Sequence, residues 1–263
     1  MNPRIGLSSA CFYPMETIDA VKTCTSLGFR SIEIFMNSFS ELEEPYLKRI
    51  AAHCRETGTR VTSIHPFTSG YEYMLFFSAY EKRAAEAAEF YRKYFHAASY
   101  LGADYLVFHG DALKAPFIGM DTYCEVLAML MRVAESEGVT LAHECVSSAR
   151  SGNPEFIREL HERFGAGNIR FVFDVKQVVR GGYDPFAMLD AMGNDIVHVH
   201  INDFAGGECR LPCMGALNLF AILERLEERG YSGQYIIEVY RKNFGQPDEI
   251  AKSAALLENI MPH

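Results

Sequence analysis

The chain contains no tryptophan, no CxxC pair, no block of lysine and arginine, and no apolar stretch of transmembrane length. Each absence narrows the field. Seven cysteines, at positions 11, 24, 54, 124, 145, 209 and 213, are odd in number and scattered. They read as free thiols in a reducing compartment, not as a disulfide framework. Cys209 and Cys213 are the one close pair, and with no second Cys or His pair at zinc-site spacing their reading is loop packing. The formal net charge of −9, with no local basic block, offers no general attraction to phosphate backbones, so nucleic acid is not an expected partner. The N-terminal MNPRIGLSSACFYP lacks the apolar run of a secretory signal, which gives a cytoplasmic expectation with no membrane partner. No GxGxxG follows the first apolar run, which counts against an open dinucleotide-binding sheet. No linker or low-complexity tract interrupts the 263 residues, so one domain spanning 1–263 is expected.

What is present is a repeat. Short apolar runs alternate with longer amphipathic segments along the whole chain. The expected strands are 5–7, 31–34, 61–65, 105–109, 140–144, 169–174, 196–202 and 235–238. Val126, Met129, Leu130 and Val133 recur at helical spacing between two of these runs, as do Leu219, Ile222, Leu223 and Leu226. Gly28, Gly58, Gly102, Gly138, Gly167 and Gly230 stand where helices should stop. Eight such units of roughly 30 residues make a closed (β/α)8 TIM barrel of the α/β class. The step from His65 to His109 is the longest, and its Ala-rich EKRAAEAAEFYRKYFHAASYLG predicts an unusually long third helix.

Four of the apolar runs end in residues that can hold a metal: TLAHE at Glu144, IRFVFD at Asp174, IVHVHIND around His200, and YIIE at Glu238. A run as apolar as Phe171-Val172-Phe173 suits a strand covered on both faces, and an ionised carboxylate at its end needs compensation. Counting by twos places Asp174 on the inner face with Val172. It places Glu144 inward with Ala142, and His198, His200 and Asn202 inward against an outer set of Val197, Val199 and Ile201. His143 faces the helices and reads as structural; His198 reads as a supporting group beneath the site. His65 and His109 also fall inward, at the ends of the third and fourth strands. Three carboxylates and one imidazole without a thiolate suit one divalent ion among Mn²⁺, Mg²⁺, Co²⁺ and Zn²⁺.

With these residues placed, the chain resembles the xylose isomerase-like TIM-barrel superfamily, in its sugar phosphate isomerase/epimerase family, whose relatives include ketose 3-epimerases, inosose-processing enzymes and endonuclease IV. The resemblance is carried by GFRSIEIF, YLGADYLVFHGD, LAHEC, FVFDVKQ, HVHINDF and GYSGQYIIEVY, in that order, over essentially the full length. It implies a metal site of Glu144, Asp174, His200 and Glu238, and a function in carbohydrate metabolism. The implied activity is a divalent-metal-dependent sugar or sugar phosphate isomerase or epimerase, with Glu144 and Glu238 as the acid/base pair. One glutamate would abstract the proton alpha to a carbonyl through a metal-stabilised cis-enediolate, and the other would return a proton. Return to the opposite face inverts the centre; return to the neighbouring carbon moves the carbonyl. The resemblance further implies substrate contacts from Gln177, Arg210 and Glu33, a second ion or substrate contact at His65 and His109, and assembly as a dimer or tetramer.

The chain departs from the pattern in two places. Leu211-Pro212-Cys213-Met214-Gly215 follows the Arg where relatives carry a Gly-Glu-Gly turn, and Gln177 stands where they often carry His. Without Trp, an aromatic wall must come from residues such as Phe12, Phe67 or Tyr240. A phosphate, where the substrate carries one, would be held by Gly206-Gly207 with Arg210, Arg241 or Lys242. Two other readings remain: an endonuclease IV-like metal-dependent phosphodiesterase, whose third-metal ligands are missing here, and a non-catalytic metal- or sugar-binding barrel.

Overall fold

The computed structural model describes residues 2–262. Eight strands form its centre: β1 (Ile5–Ser8), β2 (Ser31–Met36), β3 (Arg60–Pro66), β4 (Tyr105–Phe108), β5 (Thr140–Glu144), β6 (Phe171–Asp174), β7 (Ile196–Ile201) and β10 (Tyr235–Ile237). They run parallel and close into a barrel in the order β1-β10-β7-β6-β5-β4-β3-β2. A small antiparallel hairpin of β8 (Asp203–Ala205) and β9 (Glu208–Arg210), which the apolar pattern does not announce, stands just past β7.

Around the barrel run α1 (Thr17–Ser26), α2 (Glu44–Thr57), α3 (Glu72–Phe76), α4 (Glu81–Leu101), α5 (Met120–Ser136), α6 (Pro154–Phe164), α7 (Val175–Arg180), α8 (Pro185–Met192), α9 (Leu219–Glu228) and α10 (Asp248–Ile260). The stripes expected at 126–133 and 219–226 are the buried faces of α5 and α9. The long helix expected after β3 is present as α4, with 21 residues, but the chain first makes the short α3 over the barrel end. All six glycines expected at helix stops take positive φ, the region where a missing Cβ removes the penalty.

Strand alternation sets what faces the barrel axis. Phe171 and Phe173 join the large core between sheet and helices, while Val107, Ala142 and Val172 form a separate inner cluster. Val197 corrects the count by twos. The β6–β7 register shifts between Phe171 and Val172, so Val197 packs on the inner cluster instead of the helices; the alternation resumes above it with His198 and His200 inward. His143 points outward as expected, meets the hydroxyl of Tyr123 on α5, and is pushed down to about 4 by burial, which keeps it neutral.

Candidate metal centre and cavity

The carboxyl ends of β5, β6, β7 and β10 converge. Glu144 and Asp174 are the last residues of their strands, His200 lies one from the end of β7, and Glu238 is the first residue after β10. The register sets Asp174 beside His200, while Glu144 pairs with Val172 and His200 with Ile236, so Asp174 and Glu238 each stand two residues beyond the partner of the neighbouring strand's ligand. One ligating atom from each of Glu144, Asp174, His200 and Glu238 lies within 4.8 Å of all the others. Nδ1 of His200 is 3.3 Å from Oε1 of Glu144, 3.5 Å from Oε2 of Glu238 and 3.6 Å from Oδ2 of Asp174. Burial alone would push His200 down, but Glu33, Glu238 and Glu144 around it hold it well above the usual imidazole range. Asp174 also serves the backbone that follows it. Its Oδ1 caps α7 by accepting from Gln177 N at 3.3 Å and also accepts from Asn202 Nδ2 at 3.1 Å, leaving Oδ2 toward His200.

Glu33 is placed differently from its sequence reading. It is fully buried beneath the quartet and does not reach the cavity. Its oxygens accept from Ser8 Oγ at 3.0 Å and Ser63 Oγ at 2.7 Å, and Oε2 lies 3.0 Å from Nε2 of both His198 and His200. Burial would raise Glu33, but the two histidines win and hold it well below the ordinary carboxylate range. The β2–β3 register shift between Ile32 and Glu33 accompanies this depth. Glu33 therefore fixes the imidazole of His200, the kind of support that metal-binding histidines require.

His65 and His109 stand on the opposite flank of Glu144. Their Nε2 atoms are 3.1 Å apart, and Oε2 of Glu144 is 2.9 Å from that of His109 and 3.6 Å from that of His65. These three residues form a second convergent donor set. Burial would lower His65, but Glu144, Glu33 and Glu238 raise it to about 8. None of these approaches to Oε2 has hydrogen-bond alignment, so this buried carboxylate oxygen lacks a hydrogen-bond partner. An orphaned carboxylate oxygen between two imidazoles, and a quartet of hard and borderline donors beside it, fit a divalent cation. Glu72, which the sequence pattern does not single out, fixes the turn after β4. It accepts from His109 N at 2.7 Å, Gly110 N at 2.8 Å and the Tyr91 hydroxyl at 2.9 Å.

A cavity of about 470 Å³ opens above these groups. His65, His109, Glu144, Lys176, Gln177 and Glu238 line its polar side, and Tyr13, Phe35, Phe67, Tyr71, Val239 and Tyr240 its apolar side. Phe67 and Tyr240 stand on this wall as expected; Phe12 does not, being buried against Phe244. Gln177 also lines the cavity, its Oε1 accepting from Ser147 N at 3.2 Å and Ser147 Oγ at 2.8 Å. Arg210 lies outside, on β9, paired with Glu208 at 3.3 Å. The groups expected to hold a phosphate are divided: Arg241 bonds the carbonyls of Phe244 and Gly245, while Gly207 and Lys242 border a separate cleft.

Lys176 carries no signal in the sequence pattern. It sits two residues after Asp174 in the first turn of α7, and 1% of its surface is exposed. Its ammonium pairs with Oδ2 of Asp174 and Oε2 of Glu238. A lysine in a short helix after a strand ordinarily reads as solvated, and only the closeness of β6 to β10 across β7 reveals its partners.

Residues 21–260 match the family described as xylose isomerase-like TIM barrel. The chain belongs to that family. A D-tagatose 3-epimerase-like protein of known structure superposes with a TM-score of 0.79 at 20% identity, covering 98% of this chain and 96% of that one. The IolI protein, solved with a bound zinc atom, superposes with a TM-score of 0.81 at 20% identity, over 98% and 97% of the two chains. At such identities the likeness shows a shared fold. An uncharacterised protein of Methanocaldococcus jannaschii is 25% identical over 150 residues, 54% of this chain. The chain spans about half of that relative, the match covering 49% of it. No helix among the described residues is long and apolar enough to cross a membrane.

Proposed function

We propose that this chain is a divalent-metal-dependent isomerase or epimerase of a small sugar or sugar phosphate. The observation that carries the reading is the convergence of Glu144, Asp174, His200 and Glu238 at the floor of a cavity of about 470 Å³, within the range of small-molecule sites. These four residues would hold the ion, with His65 and His109 available around the free oxygen of Glu144. The ion would supply Lewis acidity, polarising a carbonyl and acidifying the proton alpha to it.

The rest is the work of the chain. The aromatic wall of Tyr13, Phe35, Phe67, Tyr71 and Tyr240 takes the apolar face of the sugar and limits water. Glu144 and Glu238 both border the cavity and arrive from β5 and from the end of β10, so they can flank one carbon. One glutamate, ionised, takes the alpha proton to leave a cis-enediolate, and the other, entering as the carboxylic acid, gives its proton back to the sugar. Neutral sugars and sugar phosphates both satisfy this chemistry. The D-tagatose 3-epimerase-like neighbour supports the sugar assignment, and the zinc in the IolI structure supports a metal.

The test is solvent exchange. Incubation with a panel of ketoses in D₂O and a divalent metal should introduce deuterium alpha to the carbonyl of at least one sugar, detected by mass spectrometry. Absence of incorporation across the panel, with metal bound, would reject enediolate chemistry.

A further inference from the structure

Lys176 lies at the one place among the described residues where a lysine ammonium already stands among the proposed metal ligands. Its ammonium contacts Oδ2 of Asp174 and Oε2 of Glu238. These are the same two oxygens that face Nδ1 of His200 within the quartet. Its side chain is 2% exposed, so the charge has no water shell, and these two carboxylates are its hydrogen-bond partners among the described residues. Of the residues lining the cavity, it is the sole lysine or arginine. A buried ammonium is tolerated because the carboxylates compensate it, and they in turn are compensated by it. A divalent ion taking those oxygens would bring two charges within a few ångströms of a third, in surroundings that screen poorly. Ion and ammonium cannot both hold Asp174 and Glu238. The side chain borders the cavity, which leaves it room to withdraw.

We propose that Lys176 is the resident cation of this site, neutralising Asp174 and Glu238 until a divalent ion displaces it. The inference rests on the metal reading given above and deepens it. The affinity of the site is then set by competition within the chain, and the metal-free barrel is protected from the repulsion of its own carboxylates.

Chelator-stripped wild type, Lys176→Met and Lys176→Gln are titrated with zinc against a chromophoric chelator, and their melting is followed with and without the ion. Two substitutions are used because glutamine keeps a polar group should methionine fail to fold. Competition predicts zinc binding about ten-fold tighter or more in both variants. It also predicts that the metal-free variants melt roughly 5 °C or more below wild type, and that saturating zinc closes the gap. Wild type that binds zinc while the variants bind it equally or more weakly would overturn the proposal and make Lys176 a positioning group. Failure of all three proteins to bind zinc has a different signature, since it removes the metal reading itself.

Discussion

Oε2 of Glu33 lies 3.0 Å from Nε2 of His200, and the opposite nitrogen of that ring faces Glu144, Asp174 and Glu238. One buried carboxylate thus decides which edge of the imidazole is left for an ion. Glu33→Gln removes that charge while keeping the shape, and zinc affinity should fall about 10- to 100-fold. Competition with a chromophoric chelator measures it, and an unchanged affinity would show that His200 is oriented by its strand alone.

Glu238 is the more accessible acid of the proposed pair, with 13% of its side chain exposed against 2% for Glu144. Glu238→Gln and Glu144→Gln should each reduce deuterium exchange into a responsive ketose by about a hundred-fold or more, with the barrel intact by circular dichroism. Exchange that survives both substitutions would place the proton transfers on other residues.

The two donor sets share Glu144. Protein purified without chelator should carry about one ion per chain by elemental analysis, held by Glu144, Asp174, His200 and Glu238. His65→Asn combined with His109→Asn should leave that count unchanged. A count of two that drops to one in the double variant would instead assign an ion to the histidine pair.

Gly110 takes φ +85, and a Cβ there would collide with the Tyr123 hydroxyl and stand 3.0 Å from the His143 ring. Its amide also donates to Glu72, which fixes the turn carrying His109. Gly110→Ala should therefore destabilise the fold by about 2 kcal/mol or more, read from urea unfolding. A variant as stable as wild type would show that this turn can move.

Burial pushes the Cys11 thiol up to about 12 despite the amide of Val239, which opposes the shift. A thiol whose folded value is raised contributes stability that is complete below the unfolded value near 9 and is lost as pH climbs from there toward 12. Each pH unit in that window should cost about 1.4 kcal/mol. Cys11→Ala should flatten this alkaline limb in urea titrations at pH 8 to about 11; an identical slope in both proteins would exclude the thiol as its cause.

The barrel was legible because its signal is periodic. Eight apolar runs at regular distances, with glycines before them, leave little choice of architecture, and the count by twos puts Asp174 and His200 on the inner face, where the structure has them side by side. It failed at Val197, where a register shift that no single strand encodes turns the side chain inward. Depth was also hidden. Glu33 and Glu144 both face inward, yet Glu33 lies beneath the quartet because β2 runs on for three more residues, Ile34, Phe35 and Met36, whereas β5 ends at Glu144. Lys176 and Glu72 are invisible for a related reason: Glu238 stands 62 residues from the one and His109 37 from the other, and an isolated lysine or glutamate in a helical turn carries no mark of such a distant partner.

Asp174 caps α7 with one oxygen and turns the other toward His200. A glutamate at this position would offer an ion an equivalent carboxylate, but its extra methylene would carry the group past the amide of Gln177. The choice between two chemically interchangeable acids is thus made by the backbone that follows and not by the ion. A substitution that any metal-binding preference would accept should cost about 1 kcal/mol here through the lost cap of a six-residue helix.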